Sequence, residues 1–149
     1  MAPTIVADRL ACVSACLFCA IASGSAPAFM VASCDSAVAF LDIRPVFKGH
    51  LLVTPRSHVV TLPDLPSSEL APYFGFVQAV ARAVETGLSA GGTFVAINNK
   101  VSQSVPHLHT HVVPRTKGDG LRGFFWPRTK YESDDEARSY AEKIAAVMP

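Results

Sequence analysis

Hydrophobic and polar residues alternate strictly over a short segment in the last third of the chain. Its histidines are His107, His109 and His111, and Leu108 and Thr110 separate them. A period of two residues is typical of a β-strand, whose side chains point alternately to opposite faces. The pattern therefore predicts a half-buried strand with three imidazoles on one face and apolar or neutral side chains on the other.

Four other short apolar runs, each bounded by turn-forming residues, predict further strands. They are Met30 to Ser33, Ala37 to Leu41, His50 to Thr54 and Thr93 to Ile97. Two longer segments have helical spacing. Ser67 or Ser68 is expected to cap the first helix and Gly87 to end it, and a capping box at Ser133 begins a last helix that ends near Val147. Strands and helices do not alternate regularly, which indicates an α+β protein with a mainly antiparallel sheet.

Composition narrows the possible functions without naming one. The chain has 149 residues, the size of one domain, and 50% of them are apolar, which is enough for a core. The formal net charge is +1 and the cations are dispersed, so a dedicated nucleic-acid surface is not expected. Leu10 to Ala22 resembles the apolar part of a signal peptide, but it is too short to span a bilayer and Arg9 before it is offset by Asp8. We expect a cytoplasmic protein that does not associate with membranes.

Cys16 and Cys19 have the Cys-x-x-Cys spacing of a metal chelate. The pair alone is a weak signal, since two buried small hydrophobic residues would give the same pattern. A zinc site would need two more ligands from elsewhere in the chain. Asp42 follows an apolar run, where it is either a carboxylate facing a pocket or an exposed turn residue.

The spacing of Cα atoms along a strand excludes a single metal site for the whole histidine row. Residues two apart on a strand are separated by roughly 7 Å and residues four apart by roughly 13 Å at Cα, so one ion cannot serve all three imidazoles. At least one histidine must do something else. A central imidazole whose ring is held by a neighbouring group can attack phosphorus and form a covalent nucleotidyl-histidine that water later cleaves.

The row His107-Leu-His-Thr-His-Val-Val113 resembles the motif of the histidine triad (HIT) superfamily, in its Hint-like branch, although Thr110 stands where an apolar residue is usual. Three further segments carry the resemblance in the right order, namely Cys16 to Ile21, Ala39 to Pro45 and Gly49 to His58, and Gln103-Ser-Val-Pro leads into the row. The resemblance covers a core of about 16–115 within a single domain of 1–149 and leaves a tail of 116–149 with the final helix. It implies a HIT-like fold, with a five-stranded antiparallel sheet, two main helices and a homodimer.

The resemblance also implies roles for individual residues. His109 would be the nucleophile, His111 would contact the α-phosphate and help the leaving group, and His50 would support the histidine network. The implied nucleotide-binding residues are Phe18, Ile21, Phe40 and Ile43 around the base, Asp42 at the ribose, and Asn98, Gln103 and Ser104 near the phosphate. The implied activity is hydrolysis of NMP–X compounds, either phosphoramidates or dinucleoside polyphosphates, with a purine nucleotide as substrate. A nucleotidyl transferase or phosphorylase and a non-catalytic nucleotide-binding, zinc-stabilised module are the alternatives.

In zinc-containing relatives the Cys-x-x-Cys pair joins two histidines, and the corresponding set here is Cys16, Cys19, His58 and His107. Such a zinc would be structural. His50 in place of His58, and Cys12 in place of Cys16, remain open as rivals. The loop 98–103 lacks the glycines usual in the family, and a loop without glycine allows its backbone to approach a phosphate less closely. Trp126 in the tail either packs against the domain or shapes the leaving-group pocket.

Overall fold

The computed structural model describes residues 16–121 and 129–148. Cys12 and Trp126, both considered above, lie outside these ranges. The elements are α1 (Leu17–Ala22), β1 (Met30–Ser33), β2 (Ala37–Leu41), β3 (Leu51–Pro55), a 3₁₀ turn (Leu62–Asp64), α2 (Ser67–Leu88), β4 (Gly92–Ile97), β5 (Thr110–Arg115) and α3 (Asp134–Ala145). The chain divides into two compact units, Met1–Lys117 and Gly118–Pro149.

The five strands form one sheet in the order β1-β2-β3-β5-β4. Every neighbouring pair is antiparallel. The histidine-bearing strand β5 lies between β3 and β4 and is therefore held on both sides by backbone hydrogen bonds. The predicted class, an α+β protein built on a five-stranded antiparallel sheet, is confirmed.

The first unit has apolar clusters on both faces of the sheet, and the strands supply them alternately. In β2, Ala37 and Ala39 belong to the cluster beneath α2, whereas Val38 and Phe40 belong to the cluster beneath α1. A strand covered on both faces is apolar throughout, which explains why β2 shows no polar alternation. The sheet thus has an α2 face and an α1 face.

Helix α2 packs its buried residues Tyr73, Val77, Val80 and Val84 onto the first of these faces. Two predictions about its ends were wrong. Pro66, not a serine, occupies the N-cap, and the helix continues through Gly87. It ends because Ser89 adopts a left-handed conformation with φ of 50° and its N–H bonds to the Thr86 carbonyl, as a C-terminal glycine commonly does.

In the second unit, α3 begins where the capping box predicts. The Ser133 side chain accepts a hydrogen bond from the Glu136 N–H, and the Glu136 carboxylate accepts one from the Glu132 N–H. The helix ends at Ala145, slightly before the predicted end. Among the described residues, no helix is both long and apolar enough to cross a membrane.

Candidate active site and metal centre

The histidine row lies at the start of β5 and alternates as predicted. Leu108 and Val112 belong to the cluster beneath α2, whereas His109 packs against Phe18 of α1 on the opposite face, with ring centroids 5.1 Å apart. The regular strand is shorter than expected, because it begins at Thr110. Upstream of that residue, the Leu108 N–H bonds to the Val59 carbonyl at 2.7 Å instead of joining the β3 ladder. The first two histidines therefore lie on an irregular segment that precedes the strand.

The geometry of His109 fixes its tautomer. Its Nδ1 atom lies 2.8 Å from the carbonyl oxygen of His107. A carbonyl oxygen can only accept, so Nδ1 carries the proton and donates it. Nε2 of the neutral ring therefore holds a lone pair. The residue is 2% exposed, yet it lines the cavity described below.

His50 and His111 form a directed pair. The Val46 N–H donates to Nδ1 of His50 at 3.1 Å, so Nε2 of His50 carries the proton and donates to Nδ1 of His111 at 3.0 Å. His111 in its neutral form then has its own proton on Nε2. The pKa of His111 is lowered to about 4, mainly by burial and also by the neighbouring His109 and His50, while the Asp42 carboxylate opposes the shift.

The pKa of His50 is also lowered, mainly by burial, although the nearby carboxylate of Asp42 opposes this. The carboxylate oxygen Oδ2 lies 3.8 Å from Nδ1 of His50. Both rings of the pair are therefore neutral near pH 7, and the direction of the hydrogen bond between them is set by the Val46 backbone.

A second cluster of side chains lies between α1 and the segment that follows β3. The ligand atoms of Cys16, Cys19, His58 and His107 all lie within 4.8 Å of one another. Nδ1 of His107 is 3.4 Å from the Cys16 sulfur and 3.5 Å from the Cys19 sulfur, and Nδ1 of His58 is 3.3 Å from the Cys19 sulfur. The structure thus brings together the four residues of the expected metal set, with His58 and not His50 among them.

These residues suit a tetrahedral zinc ion. Zinc about 2.3 Å from sulfur and about 2.0 Å from nitrogen separates two such ligand atoms by roughly 3.5 Å, close to the distances above. Nε2 of His107 donates to the Pro55 carbonyl at 2.8 Å, which leaves the Nδ1 lone pair facing the sulfurs. The pKa of His107 is lowered to about 4, mainly by burial, which outweighs the opposing hydrogen bond to the Pro55 carbonyl; His58 and His109 contribute to the lowering. A neutral imidazole is the form that binds metal.

A cavity of about 460 Å³ lies beside the histidines, large enough for a nucleotide. Its lining is mostly apolar, with a few polar groups on the histidine side. The lining residues that the sequence predicted are Phe18, Ile21, Phe40, Asp42, Ile43, Ser104, His109 and His111. The Phe18 and Phe40 rings meet edge to face at 5.4 Å, and Ile43 is 81% exposed at the opening. The structure therefore brings together most of the predicted nucleotide-binding residues around one space.

Asp42 fits both interpretations offered by its sequence. It lines the cavity, and its Oδ1 also accepts the Arg44 N–H at 2.8 Å, as a turn aspartate does. One oxygen is thus committed to the turn, and the other lies toward His50.

Two predicted residues are not among those lining the cavity. Asn98 is exposed after β4. The amide of Gln103 is bonded to backbone groups. Its Oε1 accepts the Lys100 N–H of the same loop at 2.8 Å, and its Nε2 donates at 2.6 Å to the carbonyl of Val60 in the segment after β3. Lys100 and Ser102 have φ of 68° and 60°. This glycine-free loop therefore places ordinary residues in conformations that favour glycine.

Several lining residues escaped prediction from the sequence. They are Leu17, Pro27, Ala28, Leu41, Arg44, Leu52 and Val105. Most are apolar residues in short segments, and apolar residues are found both in cores and in cavity walls. Only their position relative to the histidines distinguishes them, and that position depends on the fold.

Comparison with known proteins places the chain among the histidine triad proteins. The profile of the HIT domain matches residues 23–118. An uncharacterized HIT-like protein of Mycobacterium tuberculosis is 43% identical over 108 residues, which are 71% of this chain and 75% of the relative. The protein hit of Bacillus subtilis is 38% identical over 92% of this chain and 94% of its own. An adenosine 5′-monophosphoramidase of Saccharomyces cerevisiae is 30% identical over 90% of this chain and 84% of its own.

Solved structures agree. A member of the HIT family from Bacillus subtilis superposes with a TM-score of 0.80 at 29% identity, over 91% of this chain and 98% of the other. A histidine triad family protein from Mycobacterium smegmatis, described as zinc-bound, superposes with a TM-score of 0.69 at 38% identity, over 90% of this chain and 99% of the other.

Proposed function

Because this chain belongs to the histidine triad (HIT) family, we propose that it is a nucleotide hydrolase acting on NMP–X compounds through a covalent nucleotidyl-histidine. The observation that carries the proposal is the state of His109. Its Nδ1–H is held by the His107 carbonyl, so the lone pair on Nε2 is the free nucleophile of a ring that lines the cavity. A fixed tautomer in a pre-aligned ring is what nucleophilic catalysis requires.

The proposed reaction has two steps. Nε2 of His109 bonds to the α-phosphorus while the bond from phosphorus to X breaks, and X leaves after gaining a proton. Water then attacks the same phosphorus, breaks the nitrogen–phosphorus bond and releases NMP. In the intermediate the imidazole is positively charged, and the His107 carbonyl stabilises that charge through the Nδ1–H bond.

His111 serves the leaving group in this proposal. Its Nδ1 accepts from His50, so its Nε2–H can donate to a phosphate oxygen or to X. The low pKa of His111, about 4, keeps the ring neutral until it meets the negative charge of the substrate. His50 sets the tautomer and orientation of His111 without contacting the substrate.

The cavity accounts for nucleotide recognition in the same proposal. Phe18, Ile21, Phe40 and Ile43 would enclose a purine between apolar surfaces, and Asp42 would accept hydrogen bonds from the ribose hydroxyls. Ser104, exposed at the rim, is available to the phosphate. Gln103 and Asn98 stay predictions for the phosphate side, and the loop contacts of Gln103 would have to change for its amide to reach a ligand.

We assign the cysteine–histidine cluster to a structural zinc held by Cys16, Cys19, His58 and His107. The zinc-bound relative from Mycobacterium smegmatis supports this assignment, as do the distances among the four ligand atoms. Bound zinc would fasten the start of α1 to the segment before β5. Because α1 also supplies Phe18 and Ile21 to the cavity, the ion would stabilise the base-binding wall and would take no part in the chemical steps.

The proposal is tested with an AMP–amine conjugate, chosen because a relative is named as an adenosine 5′-monophosphoramidase. Wild-type protein should release AMP, and His109→Ala should release it at least about 100-fold more slowly, as expected when a nucleophile is removed. Zinc content and thermal stability of both proteins serve as controls for intact structure. Equal AMP release by the two proteins would exclude His109 as nucleophile. Absence of release by the wild type across several leaving groups would favour a binding module.

A further inference from the structure

Three buried hydroxyl groups surround the point where β5 leaves its ladder with β3. They belong to Thr54, Tyr73 and Thr110, and each of these residues is 0% exposed. Tyr73 and Thr110 lie on the α2 face, whereas Thr54, which alternates with Val53 and pairs with Val38, lies on the α1 face. None of the three lines the cavity. Apolar side chains at these positions would avoid the cost of burying polar groups. The hydrogen bonds that the three hydroxyls make therefore indicate what these residues contribute.

Their hydrogen bonds have one consistent direction. The Tyr73 hydroxyl donates to the Val53 carbonyl at 2.9 Å, so the Thr110 hydroxyl, 2.8 Å away, donates to the Tyr73 oxygen. The Thr54 hydroxyl donates to the Leu108 carbonyl at 2.8 Å. Val53 and Thr110 form the last backbone pair between β3 and β5. The Tyr73 and Thr110 hydroxyls thus bridge the last pair of the ladder, and the Thr54 hydroxyl continues the connection between the strands beyond it.

The bond from Thr54 acts directly on the segment that carries His109. Two hydrogen bonds hold the peptide group between His107 and Leu108. The Leu108 N–H donates to the Val59 carbonyl at 2.7 Å, and the His107 carbonyl accepts from Nδ1–H of His109 at 2.8 Å. The peptide group after Leu108 has its carbonyl on Thr54. Both peptide planes are therefore fixed, and rotation of either would move the His107 carbonyl relative to the imidazole of His109.

We propose that Thr54 is a positioning residue for the nucleotidyl transfer. By holding the Leu108 carbonyl, it fixes the peptide group next to the one whose His107 carbonyl accepts from His109, and so helps to keep His109 in its Nδ1–H tautomer with Nε2 toward the cavity. Tyr73 and Thr110 stabilise the same end of β5 by hydrogen bonds on the α2 face. Thr110 is also the residue of the row that departs from the usual apolar pattern, and its hydroxyl is accounted for by this network. The inference rests on the proposed function of His109 for its catalytic part, but the tautomer it concerns can be measured without any substrate.

The test compares Thr54→Val, which keeps the shape and removes the hydroxyl, with Thr54→Ser, which keeps the hydroxyl. Thr61→Val is the matched control, since Thr61 is 2% exposed and its hydroxyl bonds to Asp64 at 2.6 Å, with no connection to the histidines. All proteins are purified without chelators and studied well below their unfolding temperatures. The tautomer of His109 is read from the ¹⁵N chemical shifts of its ring, assigned by comparison with His109→Ala.

We expect His109 to be a single Nδ1–H tautomer in the wild type, Thr54→Ser and Thr61→Val, and a mixture in Thr54→Val. For AMP–amine hydrolysis we expect Thr54→Val to lower kcat about 10-fold with KM within twofold, because a small displacement of a reacting group slows the chemical step. Thr54→Ser should recover most of that loss. Thr61→Val should have wild-type kcat despite lower stability.

A single Nδ1–H tautomer in Thr54→Val would overturn the inference, as would an equal loss of kcat in Thr54→Val and Thr61→Val. Failure of the proposed function is recognised separately, because it requires that His109→Ala hydrolyse the conjugate as fast as the wild type. In that case the ¹⁵N measurement still decides whether Thr54 fixes the ring.

Discussion

Nε2 of His50 donates a hydrogen bond to Nδ1 of His111 across 3.0 Å, and its direction is set by the Val46 N–H on the other nitrogen of His50. The pair joins the residue before β3 to the outer histidine of β5. A buried imidazole in one defined tautomer thus determines which nitrogen of a second imidazole carries the proton.

Replacing His50 should impair catalysis although the residue is not assigned to substrate contact. In His50→Ala, Nδ1 of His111 loses its donor and the ring can take either tautomer, so we expect kcat for AMP–amine hydrolysis to fall roughly 10- to 100-fold, as when other supporting partners of functional histidines are removed. Steady-state kinetics measure this, with zinc content as the structural control. A wild-type kcat would show that His111 needs no partner.

Stability should decrease on acidification because of His111. Its pKa is about 4 in the folded protein, compared with about 6.5 unfolded. Between these values the unfolded chain binds more protons than the folded protein does. The contribution of His111 to the unfolding free energy is therefore fully present above about pH 6.5 and is lost as the pH drops toward 4. We expect a contribution on the order of 1–2 kcal/mol, which is less than the full linkage value because the ring is partly exposed.

Urea unfolding of the wild type and His111→Asn between pH 4 and 7.5 checks this. The variant should lose less stability over the interval than the wild type does. His107, whose pKa is also about 4, is present in both proteins, so the difference between the two curves isolates His111. Parallel curves would contradict the expectation.

Removal of one proposed zinc ligand should abolish metal binding. We expect about one equivalent of zinc in wild-type protein purified without chelators, and little in Cys16→Ser, with a lower Tm, because three ligands bind zinc less tightly than four. Cys34→Ser is the matched control, since Cys34 lies in the β1–β2 turn, where its sulfur contacts the Ser36 hydroxyl at 3.3 Å. Elemental analysis and calorimetry give the two quantities. Metal-free wild type would refute the assignment.

Asp42 should discriminate between ribose and deoxyribose. A carboxylate that accepts hydrogen bonds from ribose hydroxyls contributes about 1.5–3 kcal/mol for a charged acceptor, so Asp42→Asn should raise KM for the AMP–amine conjugate about 10-fold or more. The same substitution should change KM for the 2′,3′-dideoxy analogue much less. An equal change for both substrates would place the effect of Asp42 elsewhere, for example on His50, which lies 3.8 Å away.

The homodimer implied by the resemblance remains a prediction. Strand β4 lies at one edge of the sheet and Val95 on it is 45% exposed. An edge strand can continue a sheet into a second copy. Light scattering should give a mass twice that of the 15.8 kDa chain, and Val95→Lys should shift the protein toward the monomer. A monomeric wild type at high concentration would exclude the dimer.

Local patterns predicted local features well. The period of two placed Leu108 and Val112 on one face and His109 on the other, because side-chain direction along an extended chain depends only on position. The N-cap at Ser133 depends on residues within one turn and was likewise found, although the Glu136 carboxylate accepts from the Glu132 N–H and not from the Ser133 N–H. The end of α2 was predicted wrongly at Gly87, because Ser89 adopts the left-handed conformation that glycine usually takes.

What the sequence by itself determined is the set of chemical groups, namely three alternating imidazoles, a chelating cysteine pair and two further histidines. Only the tertiary structure decided how they pair, because that depends on which strands are neighbours. The β3–β5 pairing sets His50 against His111, while the exit of β3 leaves His58 beside Cys19 and the Pro55 carbonyl against His107. Residues tens of positions apart come together through the order and register of the strands, and a local pattern does not state which strand lies beside which.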